Sequence, residues 1–100
     1  MALLHFIKCK EMDREKALER RLYNRAKQAG GIALKLSALH FAGIPDRLVL
    51  LPGGRVFFAE LKTEGKKPSP IQKIVIKRLI NLGFSVFVLD TLEAVDKLPV

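Results

Sequence analysis

The sequence is short of most residue types that announce a familiar chemistry. It has one cysteine, Cys9. A lone thiol forms no internal disulfide and has no cysteine partner for a zinc site, so Cys9 reads as a semi-buried thiol near the N-terminus of a protein kept in a reducing compartment. The two histidines, His5 and His40, stand at no metal-ligand spacing, and both read as structural or incidental. Aromatic residues make up 7% of the chain and fall mostly at core-like positions, which argues against recognition by base stacking. No apolar run approaches the ~20 residues of a membrane span. The opening MALLHFI is apolar but brief, Lys8 and Lys10 follow it, and nothing resembles a signal cleavage site, so the expected location is the cytoplasm. Internal repeats, linkers and low-complexity stretches are absent.

Acids are scarce as well: 10 Asp and Glu stand against 18 Lys and Arg, a net charge of +8. Such an excess suits a polyanionic partner, nucleic acid above all. The length of 100 residues fits a single domain over residues 1–100, and a hydrophobic share of 49% is enough for one core.

Residues 11–29 are rich in Glu, Arg, Lys, Ala and Leu and read as a helix, with Asp13 near its start and Gly30-Gly31 at its end. Leu18, Leu22, Ala26 and Ala29 fall on one face of it. Residues 32–39 (IALKLSAL) alternate like a strand, and Phe41 to Pro45 forms a loop. Arg47 to Leu51 and Arg55 to Lys62 (RVFFAELK) are strands joined by Pro52-Gly53-Gly54 into a hairpin. Ser69-Pro70 opens a helix over 70–82, Gly83 ends it, Phe84 to Leu89 is a strand, and Thr91 to Leu98 a short last helix. The order is α-β-β-β-α-β-α. RVFFAELK is apolar on both faces, as a central strand must be, and the helix after it is expected to cross over and place FSVFVL parallel to it. The predicted fold is an α/β sandwich with a small mixed central sheet flanked by helices.

Four polar features stand where folding alone would not put them. Glu60 and Lys62 lie two apart in the strand that should be most buried, so they share a face while Leu61 points away. A carboxylate and an ammonium there are costly unless they pair or do chemistry; an edge-strand ion pair is the plain reading. Asp46 flanks the open end of the same hairpin and should meet Glu60, although Gly-x-Pro-Asp is also an ordinary turn composition. Gln72 falls within the apolar arc formed by Ile71, Ile74, Val75, Ile76, Leu79, Ile80 and Leu82, opposite Lys73, Lys77 and Asn81, and an amide placed there needs a partner near the helix start. Glu19 sits at the edge of the inward face of the first helix, with Glu15 one turn earlier; both are alternatively solvated acids pairing with Arg20 or Arg25. Together these features are far more specific than singly. Two carboxylates from neighbouring strands, with the carbonyl of Leu61, would share a hard cation such as Mg²⁺ or Mn²⁺. Lys62 would stand beside the attacking water and offset charge on a phosphate.

Asp46 after a proline, then Glu60-Leu61-Lys62 after a hairpin turn, resembles the PD-(D/E)xK nuclease superfamily. The ordered run of GG, GIPDRLVLLPGG, RVFFAELK and GKKPSPIQ is similar to its virus-type replication-repair nuclease (VRR-NUC) branch, from about Glu15 to Leu89. The resemblance implies a restriction-endonuclease-like core. It implies that Asp46 and Glu60 are metal-binding acids, Lys62 the catalytic lysine and Gln72 the polar residue of the following helix. It further implies a first-helix Glu completing the site, best matched by Glu19 in Glu19-Arg20-Arg21-Leu22, with Glu15 as the alternative. With no added DNA-binding domain, the chain resembles stand-alone phage and bacterial members, which implies a homodimer cleaving four-way (Holliday) or other branched DNA in replication, repair or recombination, in a bacterial or phage-infected cytoplasm, with no organic cofactor. Lys35, Arg47, Lys66, Lys67, Lys73 and Lys77 are the candidate DNA contacts, each alternatively a plain surface charge. A non-catalytic DNA-binding module of the same fold and a subunit-interaction domain are the competing readings.

Overall fold

The computed structural model describes residues 2–37, 40–63 and 65–100, with side chains from Arg14 onward. The expectations for His5 and Cys9 concern side chains outside that set. Helix α1 spans Ala2–Gln28, followed by β1 (Ile32–Lys35), β2 (Arg47–Leu51), a 3₁₀ turn at Pro52–Gly54, β3 (Arg55–Leu61), α2 (Pro70–Asn81), β4 (Ser85–Leu89) and α3 (Leu92–Asp96). The expected element order and the mixed sheet are both present. No described helix is long and apolar enough to cross a membrane.

Helix α1 starts nine residues earlier than expected. Nothing between Ala2 and Asp13 stops a helix: the stretch has no Gly or Pro, and Asp13 lies inside the helix rather than at its cap. The other end is set by Gly30, whose φ of 84° is left-handed. Gly31 N donates to Ala26 O at 2.8 Å and Gly30 N to Lys27 O at 3.0 Å, the paired bonds of a Schellman cap. Strand β1 stops at Lys35, which pairs with Arg47, and Leu36 N still reaches Asp46 O at 2.8 Å. The last two residues of the expected strand, 38 and 39, lie outside the described set.

The sheet runs β1-β2-β3-β4. The first three strands are antiparallel, with Arg47 opposite Ala59 and Leu51 opposite Arg55 across the hairpin. Strand β4 runs parallel to β3, reached by the α2 crossover as expected. One face of the sheet (Val49, Leu51, Phe57, Ala59, Leu61 and Leu89) packs against Leu18, Leu22 and Ala26 of α1 and against Val95 and Leu98. Leu18, Leu22 and Ala26 recur every four residues, so α1 presents one apolar stripe to that face. Each fully buried leucine there stabilises the fold by about 1.5–3 kcal/mol. Arg21 pairs with Asp96 at 2.7 Å, and Arg25 donates to the carbonyls of Val95, Asp96 and Leu98, which ties α1 to α3.

Helix α2 covers less than its apolar arc suggests. Val75 is buried, but Ile71, Ile74, Ile80 and Leu82 are between 49% and 73% exposed. The arc is wider than the sheet edge it covers. Two aromatic residues also depart from core placement: Phe41 is 52% and Phe84 41% exposed, whereas Phe57 is buried and packs edge-on against Phe87 with ring centres 5.1 Å apart.

Gly31 offers a test of the α1–sheet contact. A Cβ on it would lie 2.1 Å from Leu50 O, a backbone atom with no room to retreat. Gly31→Ala is expected to destabilise the fold by about 2–3 kcal/mol, lowering the melting temperature by roughly 10–20 °C in a thermal melt.

Candidate active site

The hairpin register brings the acids together. Arg47 pairs with Ala59, so Asp46, one residue before β2, lies opposite Glu60. Asp46 N donates to Glu60 Oε1 at 3.1 Å, and Asp46 Oδ2 accepts from Leu61 N at 3.2 Å. Lys62, two residues on in β3's direction, places Nζ 3.2 Å from Glu60 Oε2. Its main-chain N donates to Leu89 O at 2.9 Å, which holds it beside the end of β4. The loop carrying Asp46 is seated by Gly43. Its φ is 86°, and a Cβ there would come within 2.7 Å of Ile71 O and 2.8 Å of Val75 Cγ2. The glycine thus lets the GIPD loop lie directly on the first turn of α2.

That first turn supplies Gln72. Ser69 caps α2, its Oγ accepting from Gln72 N at 3.3 Å while Gln72 Oε1 accepts from Ser69 N at 2.9 Å. This reciprocal capping box uses the amide oxygen of Gln72. The amide nitrogen is left to face the other way, and it donates to Glu60 Oε2 at 2.7 Å. Gln72 therefore both caps its own helix and bonds Glu60. The Ser-x-x-Gln pattern of SPIQ is the sequence signal for this cap.

Glu60 is 1% exposed. Its burial and the neighbouring charge of Asp46 push its carboxyl above the ordinary value of 4.5, opposed by the hydrogen bonds and charge of Lys62 and the bond from Gln72. Two acids that repel one another across a strand pair make a seat for a cation. A carboxylate has about four lone-pair sites. Three donors on Glu60 leave one of them, and Asp46 Oδ1 has no hydrogen bond among the described residues. Hard carboxylate oxygens of this kind fit Mg²⁺ or Mn²⁺, with Mg²⁺ keeping several waters and sharing itself between one or two carboxylates and a phosphate. Among the described residues no three His, Cys, Asp or Glu side chains gather into a group that could hold a metal ion.

Glu19 is placed differently from Asp46 and Glu60. It borders a cleft of about 340 Å³ with Asp46, Arg47, Lys35, Ser37, Lys16 and Glu15, a lining that does not include Glu60, and its Oε2 is ion-paired with Arg47 Nη2. Arg47, a candidate phosphate contact, is 6% exposed but lines that cleft as well, its guanidinium 6.0 Å from the ring centre of Tyr23. Its side chain shares the alternation of Val49 and Leu51, all three buried, so it points into the α1 layer and not toward solvent. Lys35, Lys66, Lys67, Lys73 and Lys77 are exposed, with Lys35 on the cleft wall. His40 is exposed.

No protein-family model matches the chain. The chain is 42% identical over 86 residues to the "Putative nuclease p44" of Acyrthosiphon pisum secondary endosymbiont phage 1, a match covering 86% of this chain and 92% of the relative. A solved structure described as a "VRR_NUC domain" superposes with a TM-score of 0.77 at 37% sequence identity, covering 83% of this chain and 90% of that one. Identity and coverage of this order extend through both the hairpin and the crossover helix, and the chain belongs to the VRR-NUC family and has its restriction-endonuclease-like fold.

Proposed function

We propose that this chain is a divalent-metal-dependent DNA endonuclease that acts as a homodimer on branched duplexes such as four-way junctions. The observation that carries the reading is Glu60: a carboxylate removed from solvent, set against a second carboxylate, and steadied by an amide and an ammonium. A fold gains little from such a group by itself, because burying charge beside like charge is unfavourable. Hydrolysis of a phosphodiester makes use of it.

Asp46 and Glu60 would hold the cation, with the Leu61 carbonyl as a further oxygen. Bound Mg²⁺ or Mn²⁺ supplies Lewis acidity toward the scissile phosphate and makes water a stronger nucleophile at neutral pH. Lys62 orients the attacking water and offsets charge that gathers on the phosphate oxygens. Gln72 keeps Glu60 aimed. The exposed Lys35, Lys66, Lys67, Lys73 and Lys77 would hold the flanking phosphates, a sequence-independent and salt-sensitive mode of binding. Severing a junction takes a cut in each of two strands, and a symmetric pair of chains presents two sites. The apolar side of α2 that the fold leaves uncovered, with Ile74 and Leu82 62% and 73% exposed, suits contact with a second copy.

The test is cleavage of a four-way junction beside matched duplex and single-stranded DNA, with Mg²⁺, Mn²⁺ or EDTA, alongside light scattering for mass. The expected result is preferred cutting of the junction by a dimer, abolished by EDTA. Salt-sensitive binding with no product in any metal would instead identify a non-catalytic binder of the same fold.

A further inference from the structure

Helix α1 carries a group of charges that neither the core nor the acids of the site account for. Among its described side chains the acids are Glu15 and Glu19, and both border the cleft at Asp46. Lys16 borders it too, and there it begins a stripe of cations. At about 100° per residue Lys16, Arg20 and Lys27 fall within roughly 40° of one another around the helix axis. All three are exposed, and none has an ion pair or hydrogen bond among the described residues. Arg21 and Arg25 lie more than about 100° away on the other flank, where they are bonded to α3. The unpaired cations therefore stand on the flank that α1 shares with the cleft, which Lys35 of β1 also lines.

Helix stability does not explain this arrangement. A helix gains from opposite charges four residues apart and loses from like charges at that spacing. Here Glu15 stands four residues before Glu19, and Lys16 four before Arg20. Packing does not explain it either, since α1 meets the core through Leu18, Leu22 and Ala26. A row of cations with no acid among them suits a row of negative charges. A rise of about 1.5 Å per residue puts Lys16 and Lys27 about 16 Å apart along the axis. One strand of a DNA duplex, with a phosphate about every 3.4 Å, places roughly five of them over that length. We propose that this flank of α1 is a phosphate track for DNA. Lys16 meets the backbone at the mouth of the cleft, and Arg20 and Lys27 hold the arm that leads away from it. The inference deepens the nuclease reading and rests on it for the identity of the polyanion. It adds α1 to the contacts expected of Lys35, Lys66, Lys67, Lys73 and Lys77.

The experiment is binding of a four-way DNA junction to the full chain in EDTA over a series of salt concentrations. It compares wild type, Lys16→Gln, the double variant Arg20→Gln with Lys27→Gln, and Lys97→Gln. Lys97 is the control: it lies just past α3, pairs with Glu93 at 3.2 Å, and its loss removes one charge away from the track. Each phosphate contact removed lowers the slope of log affinity against log salt by about one. Lys16→Gln is therefore expected to lose about one from the slope and the double variant about two, while Lys97→Gln keeps the wild-type slope. Thermal melts should match wild type throughout, because every replaced side chain is exposed. A wild-type slope in the α1 variants overturns the proposal. So does an equal loss in Lys97→Gln, which would make the effect one of net charge alone. Metal is absent, so the result is independent of cleavage. A wild type that shows these slopes but cuts nothing in any metal brings down the endonuclease reading and supports the track, whereas a wild type that does not bind the junction overturns both.

Discussion

Glu60→Gln is expected to abolish metal-supported cleavage, with a rate at least about a thousandfold below wild type, since the Lewis acidity of the metal supplies roughly 4 kcal/mol to the transition state. The substitution is almost isosteric, but it places an NH₂ or a neutral oxygen where a charged oxygen faces Asp46. Gln72 cannot compensate by turning its amide over, because its oxygen is committed to Ser69 N in the capping box. Mn²⁺ affinity measured alongside the rate separates lost metal from lost folding. The same variant tests the electrostatics of the site by a stability series across pH in EDTA. In the metal-free chain Glu60 holds its proton to a higher pH when folded than when unfolded, because of burial and the charge of Asp46. The native state thus binds more protons than the unfolded state above pH 4.5. The stability due to Glu60 is full below that value and is lost as pH rises through its raised native value. Glu60→Gln should flatten this decline in a pH series of thermal melts. A decline as steep in the variant as in wild type would mean that Glu60 is not the group responsible.

Lys62→Met carries the second large effect. Removing a single cationic or hydrogen-bonding stabiliser of a developing oxyanion costs about 10²–10³ in turnover. Lys62 has a further role here, because its hydrogen bond and charge lower the pKa of Glu60 against burial and Asp46. Without it Glu60 keeps its proton to still higher pH, so proton and cation compete for the carboxylate over a wider range of pH. The expected result is a fall of about 10²–10³ in turnover together with a shift of the activity profile toward alkaline pH. Junction binding in EDTA should change little, as Lys62 is one charge in a chain of net charge +8. A variant with a normal profile and normal turnover would remove Lys62 from the chemistry.

The parts of this site that could be read from the sequence are those fixed by local geometry. Once Pro52-Gly53-Gly54 is a tight turn, counting back along two strands puts Asp46 opposite Glu60, and strand alternation puts Lys62 beside Glu60. No long-range packing enters. The burial of Arg47 is legible only against its charge: in RLVLL the first, third and fifth residues share a face, and Val49 and Leu51 are plainly core. Glu19 could not be placed in advance, since whether it meets a cation or a guanidinium depends on how α1 docks. The bare outer side of α2 is another tertiary matter. Periodicity identifies the apolar residues, but the number of them covered depends on how much sheet lies underneath. The early start of α1 reflects a missing stop signal, which a search for caps does not register.

Tyr23 lies against the Arg47 guanidinium, and it is the single tyrosine of a chain with no tryptophan. Excited at wavelengths that phenylalanine does not absorb, the unlabelled protein therefore emits from one ring, located at the joint between the first helix and the strand that carries the acid-bearing loop. The molecule contains its own optical gauge of that joint, one that can be followed during titration or unfolding without attaching a dye.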